Sequence, residues 1–311
     1  MKRPALKLII IILLLLGLIY IGGSFYFANI LINRDTQTLA DSQQRMADLN
    51  YHAANLPPPE TVNIASGPIT LVGFFYENMA DGRCAVLLLH GYTSTRYGVL
   101  QYADLFWQRG CDLLAYDARG HGESSDAYHT YGFHEKIDGQ TAYEWLLAKT
   151  GLPAADVGIL GVSYGAATSL QMVPLVPDAA FVIADSAYQD LRTIVAYQAA
   201  AQFGEWTRPF VPGAFFIAQR RADFIADEVS PQAAVVGADT PILLIHARAD
   251  TFTPPSNSET IYARSNPATT ELYITEYGTS HARSILDNYE AYKGLVDAFL
   301  AGKAPDFGNR E

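Results

Sequence analysis

The chain has 311 residues, of which 50% are hydrophobic and 17% charged, and a formal net charge of −11. This is enough for one large α/β domain plus an appendage. No basic block occurs after Lys7, which argues against nucleic acid as a partner.

The appendage is the N-terminus. Lys2, Arg3 and Lys7 precede an uncharged apolar stretch from Leu8 to about Ile32. At about 1.5 Å per residue this stretch is long enough to cross a bilayer. The basic residues lie before it, and Arg34 after it is met at once by Asp35. The positive-inside rule then places the N-terminus in the cytoplasm and the rest of the chain outside. The rival is a cleaved signal peptide. The run is longer than a usual signal core, and Tyr26-Phe27-Ala28 is a poor cleavage site, so an uncleaved single-pass anchor over residues 1–33 is expected.

Residues 34–60 are expected to form a linker: a short helix over Thr36–Ala53, then a stiff extended spacer at Pro57-Pro58-Pro59. Thr61–Ala65 and Ile69–Tyr76 read as strands joined by a turn at Ser66-Gly67-Pro68, and Asp81-Gly82 marks the next turn. Ala85–Leu89 is a continuous apolar run, as expected of a strand covered on both faces. Tyr97–Gln108 has helical spacing, closed by Gly110. Asp112–Tyr116 is the next strand, a polar loop spans Asp117–Gly132, and Phe133–Lys149 reads as a helix.

Cys84 and Cys111, the only cysteines, each open an apolar run closed by a polar residue, His90 or Asp117. As neighbouring parallel strands these runs would set the two thiols side by side. Outside the cytoplasm they could oxidise, and a disulfide and a pair of buried thiols both remain open.

Val157–Val162 reads as a buried strand, and Gly165-Ala166-Ala167-Thr168 as the first turns of a helix. Between them lies Gly161-Val162-Ser163-Tyr164-Gly165, a G-x-S-x-G in the strand–turn–helix context that makes a nucleophile turn. The glycines leave room for the tight turn. Further on, Ala180–Ala184 is a strand ending at Asp185, and Tyr188–Val229 is mostly helical and aromatic. Pro241–His246 is a strand, Ser256–Arg264 a helix, Thr270–Thr275 a strand and Ile285–Leu300 the last helix. Alternating strand and helix means a mostly parallel sheet with helices on both faces.

A serine hydroxyl needs a base to become a good nucleophile. In this architecture the partners follow in the order serine, acid, histidine. His246 lies inside a strand and is expected to pack or to support the site. His281, in the loop before the last helix, can reach back over the sheet edge, and is the expected general base. Asp250, just after a strand end, is the expected acid. Asp185 is the competitor. The oxyanion donors expected are the backbone N–H groups of Tyr164, after the nucleophile, and Tyr92, after Gly91. His90 is expected to shape that loop. No metal or other cofactor is called for.

Together, LLLHGY (Leu87–Tyr92), YDARGHGES (Tyr116–Ser124), GVSYG (Gly161–Gly165) and HARAD with the later Ser280-His281 resemble the α/β-hydrolase-fold serine hydrolases over about residues 60–302. The loop and the short helical insert resemble a membrane-anchored bacterial branch near the Bem46-like and serine-aminopeptidase-like hydrolases. The resemblance implies a sheet of about eight strands and a short helical lid after strand six, here about residues 187–229. The hydrolase domain would then span 61–302, with a tail at 303–311. It also implies that Arg119, His121 and Glu123 support the site without taking part in the chemistry. The expected function is hydrolysis of a small-molecule ester by Ser163, His281 and Asp250. An amide or short-peptide substrate is the runner-up, and a non-catalytic membrane-anchored binding protein the rival class.

Overall fold

Residues 3–49, 51–80 and 83–308 are described in a computed structural model of the chain. The turn expected at Asp81-Gly82 lies outside the described residues, as do Lys2 and Asn50. The elements in chain order are α1 (Arg3–Ile32), α2 (Leu39–Asp48), β1 (Glu60–Ser66), β2 (Ile69–Tyr76), β3 (Ala85–Leu89), α3 (Asp104–Trp107), β4 (Asp112–Tyr116), α4 (Glu135–Thr150), β5 (Val157–Val162) and α5 (Tyr164–Met172). The second half holds β6 (Val182–Asp185), α6 (Leu191–Phe203), α7 (Val211–Ala222), α8 (Pro231–Ala234), β7 (Ile242–Ala247), α9 (Ser256–Tyr262), β8 (Thr270–Thr275), α10 (Ser284–Asp287) and α11 (Tyr289–Lys303).

The strands form one eight-stranded sheet in the order β1-β2-β4-β3-β5-β6-β7-β8. β1 and β2 pair antiparallel with each other, β2 pairs antiparallel with β4, and all other pairs are parallel. The wholly buried runs of β3, β4 and β5 fit strands covered on both faces. Alternate residues feed two cores. Leu87, Leu89, Leu114 and Ile159 pack against α4 and α5, while Val86, Leu88, Leu113 and Leu160 pack against Phe106, Val296 and Phe299. Leu89 pairs with Tyr116 on one side and Gly161 on the other, so three strand ends meet at one edge. β3 sits where the strand order reverses, the place where open α/β sheets carry their sites.

Three expected helices differ. Thr36–Ala53 shortens to α2, which starts at a capping box between Thr38 and Asp41. Tyr97–Gln108 becomes a 3-10 helix (Arg96–Tyr102) followed by the short α3. The Arg96 N–H donates to the Asp117 carboxylate at 2.7 Å, and this tertiary bond governs the turn that the apolar spacing alone assigned to an α-helix. Ile285–Leu300 splits in two, because the Asn288 side chain caps α11 by accepting from the Ala291 N–H.

Cys84 and Cys111 are bonded to each other, 27 residues apart in sequence and one position before the paired Ala85 and Asp112.

α1 contains a 27-residue apolar segment, Leu6–Ile32, whose most apolar stretch of 18 residues has a mean hydropathy of 2.7, and is a candidate transmembrane span. Its end does not stand clear of the domain. Ala28, Leu31 and Ile32 are buried in a third core with Tyr188, Ile194 and Phe215. α1 and α7 meet at small residues: a Cβ on Gly23 would come within 2.4 Å of the Phe210 ring, and one on Gly213 within 2.2 Å of Ser24 Oγ. The following segment is docked as well. The Gln37 N–H donates to Thr93 O at 2.9 Å, and the His52 ring stacks on Tyr289 at 3.9 Å.

Candidate active site

Ser163 sits between β5 and α5 with φ 56° and ψ −112°. This is a left-handed conformation that a residue with a Cβ holds at a cost of about 1–3 kcal/mol. The flanking glycines make the turn sterically feasible. A Cβ on Gly161 would lie 2.2 Å from Gly165 O, and one on Gly165 would lie 2.2 Å from Leu89 O. Any larger residue at either place would push the turn off the sheet edge.

His281 reaches this serine from the loop after β8. Its Nε2 lies 2.7 Å from Ser163 Oγ, and its Nδ1 lies 2.6 Å from Asp250 Oδ2. An ionised carboxylate only accepts, so Nδ1 carries the proton and Nε2 is free to accept the serine's. Asp250 is buried, 2% exposed, and its Oδ1 accepts from the Phe252 and Thr253 N–H groups at 2.9 and 2.8 Å. Burial by itself would raise its pKa. Hydrogen bonds from His246, His281 and the Thr253 N–H outweigh this and hold the carboxyl well below the usual range.

His246 supports this acid. Its Nδ1 accepts from Ser258 Oγ at 2.7 Å, which leaves the Nε2–H to Thr253 O at 2.6 Å and Asp250 Oδ2 at 3.1 Å. Asp185, the competing acid, does not join the chain. It accepts from Tyr102 and Tyr292 hydroxyls at 2.9 and 3.0 Å and from Ser186 Oγ at 2.8 Å. Burial raises its pKa.

The loop after β3 packs against Ser163: a Cβ on Gly91 would lie 3.6 Å from Ser163 Cβ. The loop's own turn uses the Ser94 N–H, which donates to Gly91 O at 3.1 Å and leaves the Tyr92 N–H out. The Tyr164 N–H opens α5 and has no intrahelical acceptor. His90 shapes this loop. It accepts the Ala118 N–H on Nε2 at 2.9 Å, and its Nδ1–H donates to Gly91 O at 2.8 Å. Burial lowers the pKa of His90 and of its neighbours His121 and His129, keeping all three neutral near neutral pH. Arg119 pairs with buried Asp138, and Glu123 with Arg96, away from the serine.

Sequence reasoning passed over two groups. Glu135, fully buried, accepts from the Thr130 and Gly132 N–H groups, Thr130 Oγ and the Tyr164 hydroxyl, the last at 2.7 Å. It thereby fixes the side chain next to Ser163. The last turn of α1 is the other, because Phe27, Ile30 and Leu31, with Arg34 just past the helix end, line the cavity beside Ser163.

Two cavities meet at Ser163. One is apolar, about 960 Å³ with its mouth included, with Phe27, Leu31, Tyr188, Ile194 and Phe215 in its walls. The other is an open groove reached by Arg34, Arg45, Thr93, His281 and Arg283. Among the described residues no carboxylate lines either cavity.

The profile of the alpha/beta hydrolase family matches residues 86–301. An uncharacterised protein of Bacillus subtilis (strain 168), YqkD, is 34% identical over 217 residues, 69% of this chain and 70% of that protein. The esterase Pf2001 of Pyrococcus furiosus superposes with a TM-score of 0.63 at 25% identity, covering 81% of this chain and 98% of that one. The acylaminoacyl peptidase of Pyrococcus horikoshii, at 18% identity and a TM-score of 0.60, shares the fold over 80% of this chain and 42% of its own length.

Proposed function

Because the chain belongs to the alpha/beta hydrolase family, we propose that it is a serine hydrolase that cleaves a carboxylic ester through an acyl-enzyme. The observation that carries this is the unbroken chain Ser163 Oγ–His281–Asp250, at 2.7 and 2.6 Å. Ser163 Oγ attacks the ester carbonyl as its proton passes to His281 Nε2. The tetrahedral oxyanion rests on the Tyr92 and Tyr164 N–H groups. The intermediate collapses, and the alcohol leaves with the proton from Nε2. Water then gives a proton to Nε2 and attacks the acyl carbonyl, and Ser163 departs with that proton. Asp250 holds the imidazole tautomer and stabilises the imidazolium.

The cavity walls favour an ester over a peptide with a free amino end, since among the described residues no carboxylate is there to meet an ammonium group. The similarity to Pf2001, an esterase by its name, points the same way. A series of p-nitrophenyl esters from acetate to palmitate tests the reading with the full-length chain and Ser163→Ala in parallel. Turnover lost in the variant supports it, and turnover kept in the variant, or absent from folded wild type, refutes it.

A further inference from the structure

We propose that the cavity beside Ser163 opens into the outer leaflet of the membrane. Its substrate is a single-chain acyl ester with an anionic head, taken directly from the bilayer. This deepens the ester-hydrolase reading and rests on it.

The first observation is the wall. The last turn of α1 is part of the catalytic cavity through Phe27, Ile30 and Leu31, and the catalytic domain closes that turn. The orphan carbonyls at the helix end accept from domain groups: Leu31 O from the Tyr131 hydroxyl at 3.0 Å and the Tyr92 hydroxyl at 3.3 Å, Ile32 O from the His129 N–H at 2.9 Å. Tyr92 and Tyr131 themselves line the cavity. A chain cut as a signal peptide would lose this wall and leave those hydroxyls facing a gap.

The second observation is depth. Counted from Lys7, a hydrocarbon core of about 30 Å ends near Phe27. The lid packs against helix residues on the apolar side of that point. Phe210 stacks on Tyr20 at 5.9 Å, and Phe27 contacts Phe203 and Trp206 at 5.4 and 6.1 Å. Between Tyr20 and Phe27 the helix rises about 10 Å, so the lid tip reaches that far into the leaflet. Trp206 and Phe216 are 62% and 59% exposed there, as fits aromatic side chains at a lipid interface. An apolar cavity walled by a membrane helix and by that lid offers an acyl chain a path that avoids water.

The third observation is charge. Arg34 stands where the apolar cavity meets the open groove, one turn past the lipid-facing residues. Among the described residues neither Arg34 nor Arg45 makes a side-chain hydrogen bond or ion pair, and Arg283 is tied to Asp287 at 2.9 Å. Among the described residues three arginines and no carboxylate line the groove, in a chain whose net charge is −11. A chain in the apolar cavity and an ester at Ser163 leave the head in this groove, where guanidinium groups favour phosphate. The apolar cavity that reaches the serine is assigned one acyl chain in this proposal.

The test uses full-length protein in phosphatidylcholine vesicles. Fatty acid release is followed from palmitoyl lysophosphatidylglycerol and from neutral monopalmitoylglycerol, beside p-nitrophenyl acetate. We expect the anionic lipid to be preferred by about tenfold or more, and Arg34→Gln to bring that ratio close to one. Ile30→Trp, which fills the wall from α1, should shift the acyl-length optimum from long to short chains. Turnover of acetate with no lipid turnover, or equal rates on both lipids that Arg34→Gln does not move, overturns this proposal while leaving the esterase reading intact. If no ester is turned over, acetate included, the esterase reading falls first.

Discussion

The Tyr131 hydroxyl donates to the Leu31 carbonyl at 3.0 Å, joining a cavity side chain to the end of the apolar helix α1. The helix is therefore part of the domain it precedes. Deleting residues 1–34 should expose the core shared by Ala28, Leu31, Ile32 and Phe215. Loss of the Leu31 and Ile32 contacts alone should remove about 3–6 kcal/mol. Thermal unfolding of the truncated chain against the detergent-solubilised full-length protein checks this, and equal stability would show the helix to be a mere tether. By the same logic, intact mass of the membrane-extracted protein should include α1.

Asp250 and Asp185 are separated by their partners. Asp250→Asn, which disturbs the His281 tautomer, should lower kcat by about 10⁴-fold. Asp185→Asn breaks bonds from Tyr102 and Tyr292 and should act mainly on stability. Steady-state kinetics on a p-nitrophenyl ester, with melting curves for both variants, separates the two. A larger kcat loss in the Asp185 variant would reassign the acid.

The depressed pKa of Asp250 has a definite consequence for stability. A carboxyl whose folded pKa lies below the unfolded value of about 4 contributes fully above that pH and loses its contribution as the pH falls below it. The stability gap between wild type and Asp250→Asn should therefore shrink between pH 5 and pH 3. Urea unfolding at those pH values measures it, and a gap that widens toward pH 3 would reverse the assigned direction.

The nucleophile turn predicts its own intolerance. Gly165→Ala sets a Cβ 2.2 Å from Leu89 O, where only backbone can yield. The variant should lose more than about 3 kcal/mol or fail to fold. Gly294, with open space around its Cβ position, should accept alanine at little change. Comparing the two by thermal melt is a direct check.

The Cys84–Cys111 bond closes a loop of 27 residues, and chain entropy assigns it about 3–4 kcal/mol. Cys84→Ser with Cys111→Ser should lower stability by that order in denaturant unfolding. No change would show that the bond is absent from the native protein.

The strands were the most legible part of the chain. β3, β4 and β5 have the bounds read from their apolar runs, because strands covered on both faces carry their signal in every residue. That Ser163, His281 and Asp250 come together was legible, because strand ends and loop order confine which side chains can meet at this sheet edge. Glu135 was not, since a single glutamate at a helix start carries no mark of the Tyr164 hydroxyl it binds. Arg96–Tyr102 shows the same limit: the bond to Asp117 that sets its turn comes from another strand's end. Hydropathy marked α1 as apolar but could not show that Ala28 and Leu31 face the lid, because all sides of the helix read alike.

The most direct test of the central claim is labelling of the full-length protein with a fluorophosphonate, followed by peptide mass mapping. The account predicts one adduct, on Ser163, absent from Ser163→Ala and formed at least about 10³-fold more slowly in His281→Ala. An adduct on another residue, no adduct on folded protein, or labelling that does not depend on His281 would contradict it.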